Sequence, residues 1–278
     1  MSSSSVWDIV AVERVEFQGL APSSQTPAKN SGVPHRHAPP RISQLPAGGK
    51  PARLLPDGSP HHSQILGLAE PGTRTEPMIE LAPIIALLPA TTYRAMPWRN
   101  GLGTTTEIAL EPGDDDRFHW RLSIADVAQS GPFSRFDDYD RIIAVVAGAG
   151  MRLAVDGRPA VLLDQASAPY GFAGDAATDC TLLDGPIRDF NLIFDRGKVR
   201  GAVVAMRPET PQSHAIDGGI ILLYALAGAL TVEVGSQGIW QVPEGDTLRL
   251  DHISGHITVA GTAGSRALLA TVQSLAMK

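Results

Sequence analysis

Apolar and polar residues alternate over short runs in most of the chain after residue 80. Side chains on a β-strand point to opposite faces in turn, so this alternation predicts strands. Turn-forming Gly, Pro and Asp residues separate the runs, which is typical of a β-sandwich or barrel. Strands are predicted in this way at residues 104–110, 118–125, 141–146, 151–155, 160–163, 178–183 and 188–194. No long stripe of period 3.6 occurs, so helices are expected to be few and brief.

Two local signals support the β prediction. The pair Asp156-Gly157 is typical of a two-residue hairpin, because a type I′ turn needs positive φ at both central residues. Residues 146–153 resemble residues 226–232, and in each copy a strand precedes a glycine and another strand follows it. Such a repeat indicates two similar β units in one chain.

Residues 1–77 differ from the rest in composition. They are rich in Pro, Ser, Gly, Gln and Thr, and their low hydrophobicity cannot offset the entropy lost on ordering. We therefore expect a disordered extension over residues 1–77. Met78 opens the first patterned segment, so a true start at Met78 remains an alternative.

Composition limits the classes of partner. The chain has 278 residues, 43% of them apolar, which suffices for a sizeable core, and a net charge of -6, which argues against nucleic acid. No apolar run approaches the roughly 20 residues needed to span a bilayer, so no membrane partner is expected. Cys180 is the single cysteine, and no secretory signal is visible, which together predict a reducing compartment and the cytoplasm. A homodimer is left open.

The predicted strands carry an apolar face and a compact polar face. If these strands are neighbours, their polar side chains would line one surface: Thr105, Glu107, Arg121, Ser123, Asp189 and Asn191. The planar fork of arginine suits a carboxylate, and Ser, Thr and Asn suit further oxygens or amides. The alternative is a solvated outer face whose exposed ion pairs contribute at most about 1 kcal/mol each.

Several motifs in the same region resemble one known family. The first is Met96-Pro97-Trp98-Arg99-Asn100-Gly101-x-Gly103-x-Thr105-x-Glu107-Ile108. The others are Trp120-Arg121-x-Ser123-x-Ala125, Gly131-Pro132-Phe133-Ser134-x-Phe136, Asp140-Arg141 and Leu183-x-Gly185-Pro186-x-Arg188-Asp189-Phe190-Asn191. In this order, over residues 78–275, they are similar to the signature of the HutD/Ves family. Leu102 departs from it, because the family more often has a small residue there.

The resemblance implies a bicupin, that is, two small β-barrels packed together in one chain. The first barrel is expected at about residues 78–195 and the second at about 200–275, with strand exchange between them left open. The family lacks the usual metal-binding histidines of cupins. It is associated with histidine utilisation, where its members are ancillary or regulatory proteins rather than pathway enzymes.

Motifs and strand faces together suggest roles for a set of ligand-binding residues. Arg99 and Arg121 are expected to contact an anion, and Glu107 and Asp189 to orient these arginines or take an amino group. Neutral hydrogen bonds are expected from Asn100, Thr106, Ser123 and Asn191. Trp98 would wall the pocket or anchor a loop, and Ser134 is included through its motif. Thr106 fits this set only if a bulge at the start of its strand turns it to the face of Thr105.

Other site chemistries are less well supported. The histidines of the patterned region form no His-x-His pair, so no metal site is expected: they are His119, His214, His252 and His256. Gly148-Ala149-Gly150 is not followed by a helix, so we predict a hairpin there rather than a phosphate loop. Cys180 is expected to be a buried structural residue. No cofactor is expected.

The leading interpretation is a non-enzymatic bicupin that binds a small carboxylate, such as a formyl- or formimino-glutamate. One alternative is a metal-independent hydrolase or isomerase that uses Glu107 or Asp189 as a general base. Another is a protein-interaction module that recruits a partner through its β edges.

Overall fold

Strands make up nearly all of the regular structure. The computed structural model describes residues 82–98, 101 and 103–275. The extension predicted over residues 1–77 lies outside them, as do Arg99, Asn100 and Leu102. The predicted all-β fold is confirmed in the described ranges, whose helices are two 3-10 turns at Ala90–Thr92 and Gly235–Gln237. Neither of these turns has the length or the apolar character that crossing a membrane would require.

Each of the predicted strands is present, and its ends lie within two residues of the predicted ones. In chain order the strands are β1 (Ile84–Leu88), β2 (Arg94–Pro97), β3 (Gly103–Pro112), β4 (Phe118–Val127), β5 (Gly131–Pro132), β6 (Tyr139–Ala147), β7 (Met151–Val155), β8 (Val161–Leu163), β9 (Tyr170–Ala173), β10 (Thr178–Leu182), β11 (Ile187–Asp195), β12 (Val199–Met206), β13 (Gln212–Asp217), β14 (Ile220–Ala227), β15 (Leu230–Val234), β16 (Gly238–Val242), β17 (Thr247–Asp251), β18 (Ser254–Gly261) and β19 (Arg266–Ser274).

Two sheets form the first barrel. One has six strands in the order β2-β3-β4-β11-β6-β9, and the other has four in the order β5-β10-β7-β8. Their inner faces share an apolar core that includes Ile143, Val145, Met151, Leu153 and Phe172. Cys180 is also buried in this core, as predicted, and its Sγ lies 3.5 Å from the Sδ of Met151.

The second barrel repeats this plan. A five-stranded sheet in the order β1-β17-β14-β19-β12 faces a four-stranded sheet in the order β13-β18-β15-β16. Its interior is apolar and includes Leu223, Leu230, Val232, Leu248 and Val259. The edge strand β1 precedes the first barrel in sequence, yet it pairs with β17 along its whole length.

A third apolar core joins the two barrels. The six-stranded and five-stranded sheets pack their outer faces together through large side chains: Trp120, Leu122, Phe190, Leu192, Leu222 and Leu268. Each such side chain contributes roughly 1.5–3 kcal/mol when it is fully buried. Because this contact uses the apolar faces of β4 and β11, the polar faces of the same strands point into the first barrel.

The predicted hairpin and repeat are present. Asp156 and Gly157 have φ values of 50° and 65°, and β7 and β8 pair on either side of them. In the repeat, β6 turns at Gly148 (φ 88°) into β7, and β14 turns at Gly228 (φ 68°) into β15. Both turns carry the chain from the larger sheet of a barrel to the smaller one.

Candidate functional site

A cavity of about 440 Å³ lies inside the first barrel, against the polar faces of β4 and β11. Its size falls in the range of roughly 300–1,000 Å³ that is usual for small-molecule sites. Six of the predicted site residues line it: Trp98, Arg121, Ser123, Ser134, Asp189 and Asn191. The polar strand faces therefore meet an interior cavity and not the solvated outer surface that was the alternative.

Strand register brings the polar residues together. Strand β11 lies between β4 and β6, so its side chains have neighbours on both sides. Ile193 is opposite Arg121 on β4 and opposite Arg141 on β6. One row deeper, Asn191 is opposite Ser123. Two cationic side chains thus flank one apolar residue at the same level of the barrel.

A directional chain of hydrogen bonds runs from Arg141 to Asp189. Arg141 Nη2 donates to Asn191 Oδ1 at 2.8 Å, and Asn191 Nδ2 donates to Asp189 Oδ1. All three residues are buried, with exposed fractions of 6%, 5% and 1%. These two bonds fix the orientation of the Asn191 amide, since its oxygen faces the cation and its nitrogen faces the carboxyl group.

The two arginines keep unused donors. In the described part of the chain, the Nε atoms of Arg121 and Arg141 are buried without a hydrogen-bond partner. Burial lowers the pKa of Arg121, and it lowers the pKa of Arg141 to about 10, so both side chains are charged at neutral pH. The nearby charge of Glu107 partly opposes the shift at Arg121, as that of Asp189 does at Arg141.

Asp189 is an unusual carboxyl group. Burial raises its pKa to about 7, and this effect outweighs the opposing charge of Arg141 and the hydrogen bond from Asn191. Asp189 can therefore exist in either protonation state near neutral pH, which is a property that general acids and bases share.

Trp98 walls the cavity and is itself held by two hydrogen bonds. Its Nε1 donates to Thr105 Oγ1 at 2.8 Å, and its backbone N–H donates to the carbonyl of Gly103 at 2.9 Å. The indole lies so close to Gly103 that a Cβ on this residue would be 3.1 Å from the ring. A Cβ here would also overlap the backbone carbonyl oxygen of Asp126, so this position favours glycine.

Two predicted residues do not line the cavity. Thr106 shares the face of its partner Ile124, which packs into the core between the barrels. A bulge is present in β3, but it falls between Glu107 and Ala109 rather than at the start of the strand. The strand is regular before it, so Thr106 stays opposite to Thr105, and its predicted role is corrected.

Glu107 lies on the cavity side of β3, beside Ser123, but it is not among the lining residues. The negative charge of Glu107 still influences the site, because it favours the charged form of Arg121 and so opposes the lowering of its pKa by burial. Arg99 and Asn100 lie outside the described residues, so their roles stay predictions.

Sequence reasoning missed Arg141 and the aromatic residues around it. Arg141 stood in the quoted motif Asp140-Arg141 and opens a run that is otherwise apolar, but no role was assigned to it. Phe133 and Phe136 stood in a quoted motif and also line the cavity. Among the described residues, no group of three or more His, Cys, Asp or Glu side chains is placed to hold a metal ion.

Comparisons with known proteins agree with the motifs. The chain is 40% identical over 168 residues to an uncharacterised 21.2 kDa protein in the hutC 3′ region of Pseudomonas putida. This match covers 60% of this chain and 87% of the relative. Protein Ves of Cronobacter sakazakii is 34% identical over 165 residues, with 58% and 88% covered.

One solved structure, HutD from Pseudomonas fluorescens SBW25 in a formate condition, matches with a TM-score of 0.61. The two chains are 35% identical, and the match covers 69% of this chain and all of that one, 100%. The bicupin architecture implied by the resemblance is confirmed. The HutD family model matches residues 90–269, so the chain belongs to the HutD family.

Proposed function

We propose that this protein is a non-enzymatic, cytoplasmic binding protein that takes a small carboxylate into the cavity of its first barrel. The proposed role is ancillary or regulatory in histidine utilisation, and the candidate ligands are formyl- and formimino-glutamate. The observation that carries the proposal is the pair Arg121 and Arg141, two charged guanidinium groups that line one cavity.

Electrostatics favours an anion at this place. A buried charge is costly unless a partner of opposite charge or suitable hydrogen bonds compensate it. In the described ranges, neither arginine has a carboxylate within salt-bridge distance. A ligand carboxylate would supply the missing partner and accept charge-assisted hydrogen bonds from both guanidinium groups.

Neutral groups complete the proposed site. Ser123 and Asn191 lie one row from the arginines and can bond an amide or a second carboxylate of the ligand. The apolar wall of Pro132, Phe133 and Phe136 suits the carbon chain between these groups. A link to histidine utilisation is supported by the names of the relatives, one of which is placed in the hutC 3′ region.

Calorimetric titration tests the proposal with histidine, urocanate, N-formyl-L-glutamate and N-formimino-L-glutamate. We expect binding of at least one glutamate derivative. Arg121→Ala and Arg141→Met should each weaken it by about tenfold or more, because a charge-assisted hydrogen bond contributes roughly 1.5–3 kcal/mol. Arg152→Ala, on the exposed side of β7, is the matched control and should bind like the wild type. Absence of binding to all four compounds would refute the proposed ligand class.

A second candidate function is supported by Asp189. A carboxyl group with a pKa of about 7 that lines a cavity next to an arginine could act as a general base in a metal-independent hydrolase or isomerase. Turnover of either glutamate derivative, lost in Asp189→Asn while binding persists, would favour the enzyme over the binding protein. Glu107, the other predicted base, is less suited because it does not line the cavity.

A further inference from the structure

Aromatic rings, and not carboxylates, surround the two cavity arginines. The guanidinium carbon of Arg121 lies 5.1 Å from the ring centre of Phe118 and 5.4 Å from that of Phe136. The guanidinium carbon of Arg141 lies 5.7 Å from the same Phe136 ring. Phe133 and Phe172 are also close to Arg141, at 5.2 and 5.1 Å. Phe136 is thus shared by both cations.

Four other arginines in the described ranges form salt bridges with Asp or Glu: Arg117, Arg188, Arg196 and Arg249. Arg117 and Arg249 also lie over an aromatic ring, so the cavity arginines differ from them in having the rings without a carboxylate partner. A carboxylate neutralises the guanidinium group and occupies its N–H edge. The face of an aromatic ring attracts the cation but accepts no in-plane hydrogen bond and adds no net charge. The charge of the guanidinium group is then not neutralised and stays available to a ligand, although Arg141 also donates from Nη2 to Asn191 Oδ1 and from Nη1 to the carbonyl of Ser134.

Phe136 is itself firmly placed. Its N–H donates to the carbonyl of Gly174 at 2.8 Å, and its own carbonyl accepts from Tyr139 at 3.3 Å. A Cβ on Gly174 would lie 3.0 Å from the Phe136 carbonyl oxygen, so the absence of a side chain there lets the two segments approach. The ring is therefore carried by a fixed backbone at the point where both arginines reach the cavity.

We infer that Phe136 is the positioning residue of the site: its ring holds Arg121 and Arg141 together at the cavity without neutralising them, so that both can bind one anion. This inference rests on the proposed function for its ligand. It goes beyond that function because it names one uncharged side chain, that of Phe136, as the group that brings the two arginines together.

The test compares Phe136→Leu, which removes the ring face, with Phe136→Tyr, which keeps it. With N-formyl-L-glutamate as the probe, Phe136→Leu should bind about tenfold or more weakly, and Phe136→Tyr within about threefold of the wild type, since a desolvated cation–π contact needs the ring face, which tyrosine keeps and leucine lacks. Trp240→Leu is the control, because Trp240 is a half-buried aromatic residue of the second barrel. Its thermal stability should fall, but its affinity should not.

A second readout needs no ligand. An aromatic ring close to an N–H group shifts the NMR signal of that group, so the Nε–Hε signals of both arginines should move together in Phe136→Leu and stay in Trp240→Leu. Movement of neither signal, or equal affinity of the wild type and Phe136→Leu for the probe, would overturn the inference. If the wild type binds no probe but both signals move, the positioning stands and the proposed ligand class fails.

Discussion

Asn191 connects the charged residues of the cavity through its amide group. Its oxygen accepts from Arg141 and its nitrogen donates to Asp189, so no direct ion pair forms between the two charged residues. The carboxyl group therefore receives less compensation for its burial than a salt bridge would give, and its pKa rises to about 7. An amide in this position lets one buried group titrate while the arginine beside it keeps its charge.

The raised pKa of Asp189 predicts a pH-dependent stability. In the unfolded chain the pKa of an Asp is about 3.9, so the folded protein binds more protons than the unfolded chain between about pH 4 and pH 7. The contribution of Asp189 to the free energy of unfolding should therefore decrease as pH rises through this interval and remain constant above it. Urea unfolding of the wild type and Asp189→Asn at several pH values measures this contribution as a difference.

Asp189→Asn keeps the shape and an acceptor for Asn191, so it is the appropriate reference for the titration. The free energy of unfolding of Asp189→Asn, relative to that of the wild type, should increase steadily from about pH 4 to pH 7. A difference between the two proteins that is independent of pH would show that Asp189 titrates normally in the folded state.

Among the elements, β3 combines two local features, a close approach at Gly103 and a bulge at Ile108. At its start Gly103 lies under the Trp98 ring, and a Cβ there would overlap the carbonyl oxygen of Asp126 on β4. Five residues on, the bulge at Ile108 reverses which residues face the barrel interior. Without the bulge Ala109 would share the face of Thr105, but it is opposite Leu122 and packs on the core between the barrels.

Gly103→Ala tests whether the close packing of Gly103 against Trp98 and β4 needs a glycine. The methyl group must push back either β4 or the indole, so we expect a loss of about 1–3 kcal/mol in the free energy of unfolding. Because Trp98 walls the cavity, its fluorescence should change as well. Gly113→Ala is the control, since a Cβ there meets its neighbours at an ordinary 3.5 Å. Equal effects of the two substitutions would contradict the role given to Gly103.

Sequence periodicity was enough to place β4 and β11 and to separate their polar residues from their apolar ones. It could not say which face pointed inward, because both faces are buried: one by the other barrel and one around a cavity. It also misplaced the bulge of β3, since an extra residue depends on the pairing with β4 and leaves no signature in the strand itself. Arg141 was missed because strand pairing, and not sequence proximity, brings it beside Asn191.

At the scale of the whole molecule, the segment β1–β2 ties the barrels together. Strand β1 belongs to the sheet of the second barrel, and β2, a few residues later, belongs to that of the first. Between them the Tyr93 hydroxyl lies 3.2 and 3.0 Å from the carbonyls of Leu88 and Gly245 and 2.8 Å from Thr247 Oγ1. Burial raises the pKa of Tyr93 to about 12, so this clamp remains protonated and able to donate.

Removing β1 should weaken the second barrel although most of that barrel is encoded far downstream. A chain that begins at Ala90 lacks the five residues of β1, and the half-buried Ile85 and Leu88 among them pack on the cores. A loss of about 2–3 kcal/mol is expected, which corresponds to a fall of roughly 5–10 °C in Tm. The uncovered edge of β17 should also favour self-association, measurable by size-exclusion chromatography.

A chain that begins at Met78 keeps β1 and serves as the control for this truncation. It should melt at the same temperature as the full chain. If the chain beginning at Ala90 melted there too, β1 would contribute nothing to the stability of the second barrel.

The placement of β1 also limits how the two halves can be inherited. A recombination crossover between the halves would combine a second barrel from one parent with a bordering strand from the other, and the side chains of Ile85 and Leu88 would meet a surface selected for different partners. Each barrel has its own interior, but hybrids joined at this boundary would carry a mismatched contact between β1 and the second barrel. Exchange between relatives should therefore be tolerated mainly when both barrels are exchanged together.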